Sequence, residues 1–171
     1  MVGINIGAGE DIKDDCINVD SVELPGINVI HDLNVFPWPF EDNSFDKAYC
    51  SHVLEHVNDL TATMFEIKRI CRPGASVLIR VPHFSCGVSY RDPTHKRLFS
   101  YFTWDYFTDE CFYGLPKFKI ISRKLNFTRQ TATFLNYIIN PIINISPALY
   151  ERMWCWIFPC AEVIVELEVT K

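Results

Sequence analysis

Several short stretches of this chain place chemistry-bearing residues where apolar runs end. Gly7-Ala8-Gly9 follows the run Val2 to Ile6, and glycines at that point let a ligand approach the backbone closely. Asp20 closes Cys16 to Val19. A carboxylate there can take both hydroxyls of a ribose. Asp32-Leu33 closes Ile27 to Ile30, where the acid can accept a hydrogen bond from an adenine amino group while the leucine packs on the ring. Each of these residues also serves as an ordinary turn or cap residue. A glycine turn followed by an acid on the next strand is what turns the reading toward a nucleoside ligand. A further segment, from Pro82-His83-Phe84 through Tyr90 to Arg97, carries two histidines, a tyrosine and several charges. His83 and His95 are candidates to take a proton from a substrate, since imidazole titrates near working pH; His95 also fits the first turn of a helix opened by Asp92-Pro93.

These residues need a scaffold that brings strand ends together. β-branched runs at 2–6, 16–19, 27–30, 45–51, 76–81, 118–127 and 161–169 read as strands. A helix is expected after Asn58, which can cap it, with Leu60, Met64, Ile67 and Cys71 on one face and Arg72-Pro73-Gly74 as the stop. The fifth strand, Ser76 to Val81, is nearly all apolar, as for a strand covered on both faces. The last strand alternates Val163, Val165, Leu167 and Val169 with Glu162, Ile164, Glu166 and Glu168, a half-exposed pattern. The expected fold is α/β: a Rossmann-like, mostly parallel sheet with flanking helices and an antiparallel closing strand. Only Glu10 to Asp15 separates the glycine turn from the second strand, so the first crossover helix is short or missing. No repeat or boundary divides the chain, and residues 1–171 read as one domain.

The stretch Phe36-Pro-Trp-Pro-Phe-Glu-Asp-Asn-Ser-Phe-Asp46, then Cys50-Ser-His-Val-Leu-Glu-His-Val57, resembles S-adenosylmethionine (SAM) dependent methyltransferases of the large type 11 group. There a proline-aromatic-acid turn leads to Ser-Phe-Asp, an apolar strand and a His-x-Leu-Glu-His motif. The likeness continues through Glu66-Ile-Lys-Arg-Ile-Cys-Arg-Pro-Gly74 and covers about the first 85 residues. It implies that Gly7 and Gly9 lie against the methionine part of SAM, Asp20 holds the ribose, Asp32 and Leu33 face the adenine, and Ser51 and His52 line the cofactor near the sulfonium. Glu55 and His56 would brace the loop. The chain departs from the group in having Asn5 where an acid is common, two turn glycines instead of three, and no helix before the first strand. It resembles a compact subgroup with a more open cofactor site. The implied activity is methyl transfer from SAM to a small-molecule or glycan-type acceptor, with a non-catalytic SAM-binding or partner-binding module of the same fold as the alternative. A nicotinamide oxidoreductase would want the full GxGxxG turn running directly into a helix, which Gly7-Ala8-Gly9-Glu10 lacks.

The formal net charge of −5 offers no basic face for nucleic acid. Seven cysteines, an odd number with no CxxC pair, point to reduced thiols, a cytoplasmic setting and no paired-cysteine zinc site. A cluster of His83, Cys86 and His95 lacks diagnostic metal spacing, and no metal is expected. The apolar segment from Phe134 to Cys160 is interrupted by Asn136, Asn140, Pro141, Asn144, Pro147, Glu151 and Arg152, too often for a membrane span. A buried helix pair is expected there, with a homodimer or partner surface over 134–160 as the lesser option.

Overall fold

The structure is a computed structural model that describes residues 2–170. Its strands are β1 (Gly3–Ile6), β2 (Cys16–Asp20), β3 (Val29–Ile30), β4 (Phe45–Ser51), β5 (Cys71–Pro82), β6 (Phe118–Asn126) and β7 (Glu162–Val169). They form one seven-stranded sheet in the order β3-β2-β1-β4-β5-β7-β6. The first five strands are parallel, and β7 runs antiparallel to both β5 and β6. The strand order reverses at β1, which has β2 on one side and β4 on the other. That reversal opens a crevice at the carboxyl ends of the strands.

Register sorts the side chains into two sheet faces. Ile4, Ile6, Ala48, Cys50, Val77, Ile79, Val165 and Leu167 share one face by pairing. They form a single buried cluster with Met64, Ile67, Phe99 and Trp104. The opposite face carries Asn5, Asn18, Tyr49, Leu78 and Glu166 in one row, and beyond Asn5 and Asn18 that row is only half-buried. β5 is therefore not covered on both faces as its apolar run suggested: Ser76, Leu78 and Arg80 stay partly open. The links that could carry covering helices, residues 7–15 and 21–28, contain none.

Side-chain amides hold the first of these links. Asn5 Nδ2 donates to the carbonyl of Asp11 (2.7 Å) and to Asn18 Oδ1 (2.9 Å). Asn18 in turn accepts from the Lys13 N–H and donates to the Lys13 carbonyl, both at 3.0 Å. Asn28 Oδ1 accepts from the Asn18 N–H at 2.7 Å. These amides satisfy backbone groups that a helix would have satisfied internally. An acid at position 5 could donate neither bond, which is a physical reason for the asparagine there.

Helix α1 (Leu60–Ile70) is capped by Asp59, not Asn58: the Asp59 carboxylate accepts from the Ala62 N–H at 2.9 Å. It buries Thr63, Met64, Ile67 and Ile70. The short α2 (Val88–Arg91) ends where a helix was expected to begin. Asp92 Oδ1 accepts from both the N–H and the hydroxyl of Thr94 (2.9 and 2.6 Å), so Asp92-Pro93-Thr94 forms a turn. A 3-10 helix follows at Tyr101–Phe107.

The segment after β6 departs most from expectation. Helix α3 (Asn136–Ile143), then α4 (Pro147–Leu149) with the wider helical turn Tyr150–Trp154, leave most apolar side chains outside. Tyr137 is 86% and Ile145 82% exposed, and Ile138, Ile142, Leu149, Trp154 and Phe158 are exposed too. The reason lies on the other side of α3. Asn144 bonds both the N–H and the carbonyl of Leu125 at 2.8 Å. Asn140 accepts from the Phe127 N–H at 2.8 Å, and Asn136 bonds the N–H and carbonyl of Thr128 at 3.0 and 2.8 Å. Spaced four apart, the asparagines form one stripe that caps the edge of the sheet, so most of the apolar residues face outward. Among the described residues no helix is long and apolar enough to cross a membrane.

Candidate cofactor cleft

The crevice holds a cleft of about 330 Å³ lined by Gly7, Gly9, Asp20, Ser21, Asp32, Leu33, Asn34, His52, Val53, His56 and Val57. It draws on the carboxyl ends of β1 to β4, and its volume falls at the low end of small-ligand sites. Gly7, Gly9, Asp20, Asp32, Leu33 and His52, separated by up to 45 residues in the chain, meet here. Ser51 is half-buried at the end of β4 and is not among the lining residues.

Each wall has an identifiable support. Gly7 has φ +66°, and a β-carbon there would lie 2.3 Å from Val53 Cγ2, so the close approach of the two loops requires glycine. Gly9 has φ +50° with open space where a side chain would stand, leaving backbone accessible to a ligand. Its N–H donates to Asp20 Oδ2 at 2.9 Å, while Asp20 Oδ1 accepts from the Val22 N–H at 3.1 Å. A carboxylate has about four lone-pair sites, so Asp20 can tie the two loops and still accept from a ligand. Asp32 accepts from the N–H and side-chain amide of Asn34 at 2.9 and 2.8 Å, and these bonds pull its carboxyl below the usual range. Leu33 is buried, and its carbonyl accepts from Trp38 Nε1 at 3.1 Å. The Trp38 N–H bonds Glu66 Oε2 at 2.7 Å, so α1 positions the leucine through the proline-rich turn.

His52 sits in left-handed backbone (φ +55°), which non-glycine residues adopt rarely. Its Nε2 meets Glu162 Oε2 at 3.0 Å. Glu162 was expected on the half-exposed side of its strand but has 0% exposure. It is a hub: Arg80 reaches it at 2.6 and 3.2 Å, and Asn126 at 2.7 Å. Burial pushes the Glu162 carboxyl up, but the bonds from His52, Arg80 and Asn126 more than offset this and hold it at about 2. Burial likewise pushes the His52 imidazole down, and its carboxylate partners Glu162 and Glu55 more than restore it, leaving it raised.

The two histidines of the later loop part company. The structure does not bring His83 to the cleft. It is fully buried; its Nδ1 accepts from the Ser85 N–H at 3.1 Å and its Nε2 faces Glu151 Oε1 at 3.2 Å. Burial raises the Glu151 carboxyl, but bonds from His83, Ser100 and the Tyr101 N–H outweigh it, so it titrates low. His83 therefore braces the helical turn at 150–154 against the end of β5. His95 lies behind the cleft wall, its ring 4.7 Å from that of His56. Arg97 locks this arrangement by donating to the carbonyls of Leu54 (2.9 Å), Val57 (2.7 Å) and Asn58 (3.0 Å). Ser21, Asn34, Val53, His56 and Val57 are wall residues not singled out in sequence for this cleft. Only their position just after strand ends signalled them.

The first half of the chain has recognisable relatives. A sequence profile of the family described as "Methyltransferase domain" matches residues 9–79. Over 48 residues the chain is 38% identical to 2-phytyl-1,4-naphtoquinone methyltransferase of Trichormus variabilis, covering 28% of this chain and 21% of that protein. The match thus spans about a fifth of that relative's length. Among solved structures the chain is similar to a SAM-dependent methyltransferase from Archaeoglobus fulgidus (TM-score 0.64, 19% identity, covering 98% of this chain and 85% of that one). It is similar also to the [4+2]-cyclase SpnF (TM-score 0.57, 13% identity, covering 99% and 75%). The second likeness shows why fold alone does not name a reaction. Strand order, crevice and likenesses together establish that this chain has the fold of class I SAM-dependent methyltransferases.

Proposed function

We propose that residues 1–171 act as one SAM-dependent methyltransferase domain of the type 11 kind, in a compact form without a first crossover helix. The reading rests chiefly on one observation: the cleft at the strand reversal gathers Gly7, Gly9, Asp20, Asp32, Leu33 and His52. Open space over Gly9 and the spare lone pairs of Asp20 suit a nucleoside with a backbone-hugging tail. Gly7 and Gly9 would take the methionine part, Asp20 the ribose hydroxyls, and Asp32 and Leu33 the adenine, with Ser51 and His52 toward the sulfonium. SAM supplies an electrophilic methyl group. This chain's own task is to hold the acceptor in line and exclude water; orientation alone contributes up to about 7–11 kcal/mol. His56 on the cleft wall, with His95 behind it, is the group placed to accept an acceptor proton. We assign His83 a positioning role, since it is buried and held by Ser85 and Glu151.

The acceptor belongs to the small-molecule or glycan class. A groove of about 430 Å³ lined by Ile142, Ile145, Leu149, Trp154 and Phe158 favours an acceptor with an apolar part, and the Trichormus relative is named for a phytyl-bearing quinone. The same exposed surface supports a second reading, in which residues 134–160 bind a second copy or a partner and the chain carries no turnover of its own. We place the protein in the cytoplasm on its unpaired cysteines.

Calorimetric titration with SAM, S-adenosylhomocysteine and NAD tests the cofactor. We expect saturable binding of the first two and none of NAD, with affinity falling at least about tenfold in Asp20→Ala, the scale of one lost charge-assisted bond. Unchanged affinity in that variant would refute the ribose assignment. SAM binding without turnover on any acceptor would favour the second reading.

A further inference from the structure

Glu55 is only partly accounted for by its place beside His52. Its residue is 1% exposed, yet neither carboxylate oxygen makes a hydrogen bond among the described residues. A buried carboxylate left this way is costly unless a cation compensates it. The nearest cationic candidates are His52 Nδ1 at 3.5 Å and His95 Nε2 at 4.0 Å from Glu55 Oε1. Glu55 Oε1 or Oε2, one ring nitrogen of His56 and one of His95 all lie within 4.8 Å of one another.

The bonds around the two rings set their tautomers. The Thr94 hydroxyl donates its single hydrogen to Asp92 Oδ1 (2.6 Å). It can therefore only accept from His56 Nδ1, 2.8 Å away. His95 Nδ1 faces the Ser89 carbonyl at 3.3 Å and must donate to it. Both rings are thus held through Nδ1–H, so in each neutral ring the lone pair is on Nε2. His95 Nε2 also looks toward Asp92 Oδ2 at 3.7 Å. The cluster brings together the two imidazoles and the carboxylate of Glu55, with Asp92 beside His95 and His52 Nδ1 3.5 Å from Glu55 Oε1. Rings anchored through the far nitrogen to a carbonyl, or to a hydroxyl backed by a carboxylate, are the supporting arrangement found around metal-ligating histidines.

We propose that Glu55, His56 and His95 form a binding site for a divalent first-row transition ion, with zinc the best match to a two-imidazole, one-carboxylate set. Magnesium and calcium, which take all-oxygen shells, do not suit it. Tetrahedral ligand atoms sit about 3.4 Å apart, given bonds of about 2.0–2.1 Å, so the side chains close inward when the ion enters. His56 also lines the cofactor cleft, which puts the ion at the cleft's rim; there it would take the lone pairs that the free imidazoles offer an acceptor proton and would instead lower the pKa of a bound hydroxyl or water. The site does not depend on the methyl-transfer reading and is tested without any nucleoside.

The test is titration of the full chain with Co²⁺, followed by visible and near-ultraviolet absorption, then competition with Zn²⁺. Cys16, Cys86 and Cys111 are partly exposed thiols, and cobalt on thiolate shows a strong near-ultraviolet charge-transfer band that imidazole and carboxylate ligands lack. We expect one equivalent of Co²⁺ with ligand-field bands and no thiolate band, displaced by Zn²⁺ and unchanged in Cys16→Ser. Glu55→Gln and His95→Asn should each weaken binding at least tenfold, with circular dichroism to confirm that they fold. If Glu55→Gln does not fold, His95→Asn decides. No stoichiometric binding, a thiolate band, or undiminished binding in a folded variant overturns the proposal.

Discussion

Helices α1 and α3 solve opposite problems with opposite faces. α1 lies against the sheet's apolar face and buries Met64, Ile67 and Ile70, the usual amphipathic arrangement. α3 lies along the edge strand β6 and turns Asn136, Asn140 and Asn144 inward, because an edge presents unpaired N–H and C=O groups. Tyr137, Ile138 and Ile142 are left outside, while Ile143 is buried. Polarity therefore does not decide which face goes in; the chemistry of the surface being covered does. The same holds for Glu162, a carboxylate turned inward because three donors wait for it.

This contrast can be broken from either side. Ile67→Ala in α1 should cost the most, about 2–5 kcal/mol, as buried truncations in a core do, read as a fall in the denaturant midpoint at constant slope. Acid should strike the inward carboxylate next. Glu162 has its carboxyl at about 2 against an ordinary 4.5, so its contribution is full above pH 4.5 and is lost as pH falls through about 2. The loss is of order 3 kcal/mol and should be largely absent from the acid denaturation curve of Glu162→Gln. Asn144→Leu, a more hydrophobic residue on a helix, should destabilise by about 2 kcal/mol, since it orphans the N–H and carbonyl of buried Leu125. A stabilised variant would show that the stripe does not cap the edge. The smallest effect belongs to Ile142→Ser on the outer face of α3, expected within about 0.5 kcal/mol. A drop of several kcal/mol would mean that this face is covered in solution.

Much of the cofactor half was legible because its signals are local. A glycine turn after a strand, an acid closing the next, and an acid-leucine pair closing the third are fixed by chain direction, and parallel strands then carry their ends to one edge. The short first link also had to lack a full helix on length alone. What sequence missed depended on partners distant in the chain. Asn5, read as a missing acid, proved to be a required donor because Asn18 and the Asp11 carbonyl stand opposite it. His83, a proton-acceptor candidate by its place in a polar loop, is buried and faces Glu151, 68 residues away.

The amino-acid sequence by itself determined the order of strands and turns and the residue types at the strand ends, since backbone preferences and short-range spacing act within a few residues. Only the tertiary structure decided which side chains end up without solvent. Burial depends on what packs from far along the chain, and it is burial that makes Glu162 a hub, leaves Glu55 without a hydrogen bond among the described residues beside His56 and His95, and leaves most apolar residues of 134–158 outside.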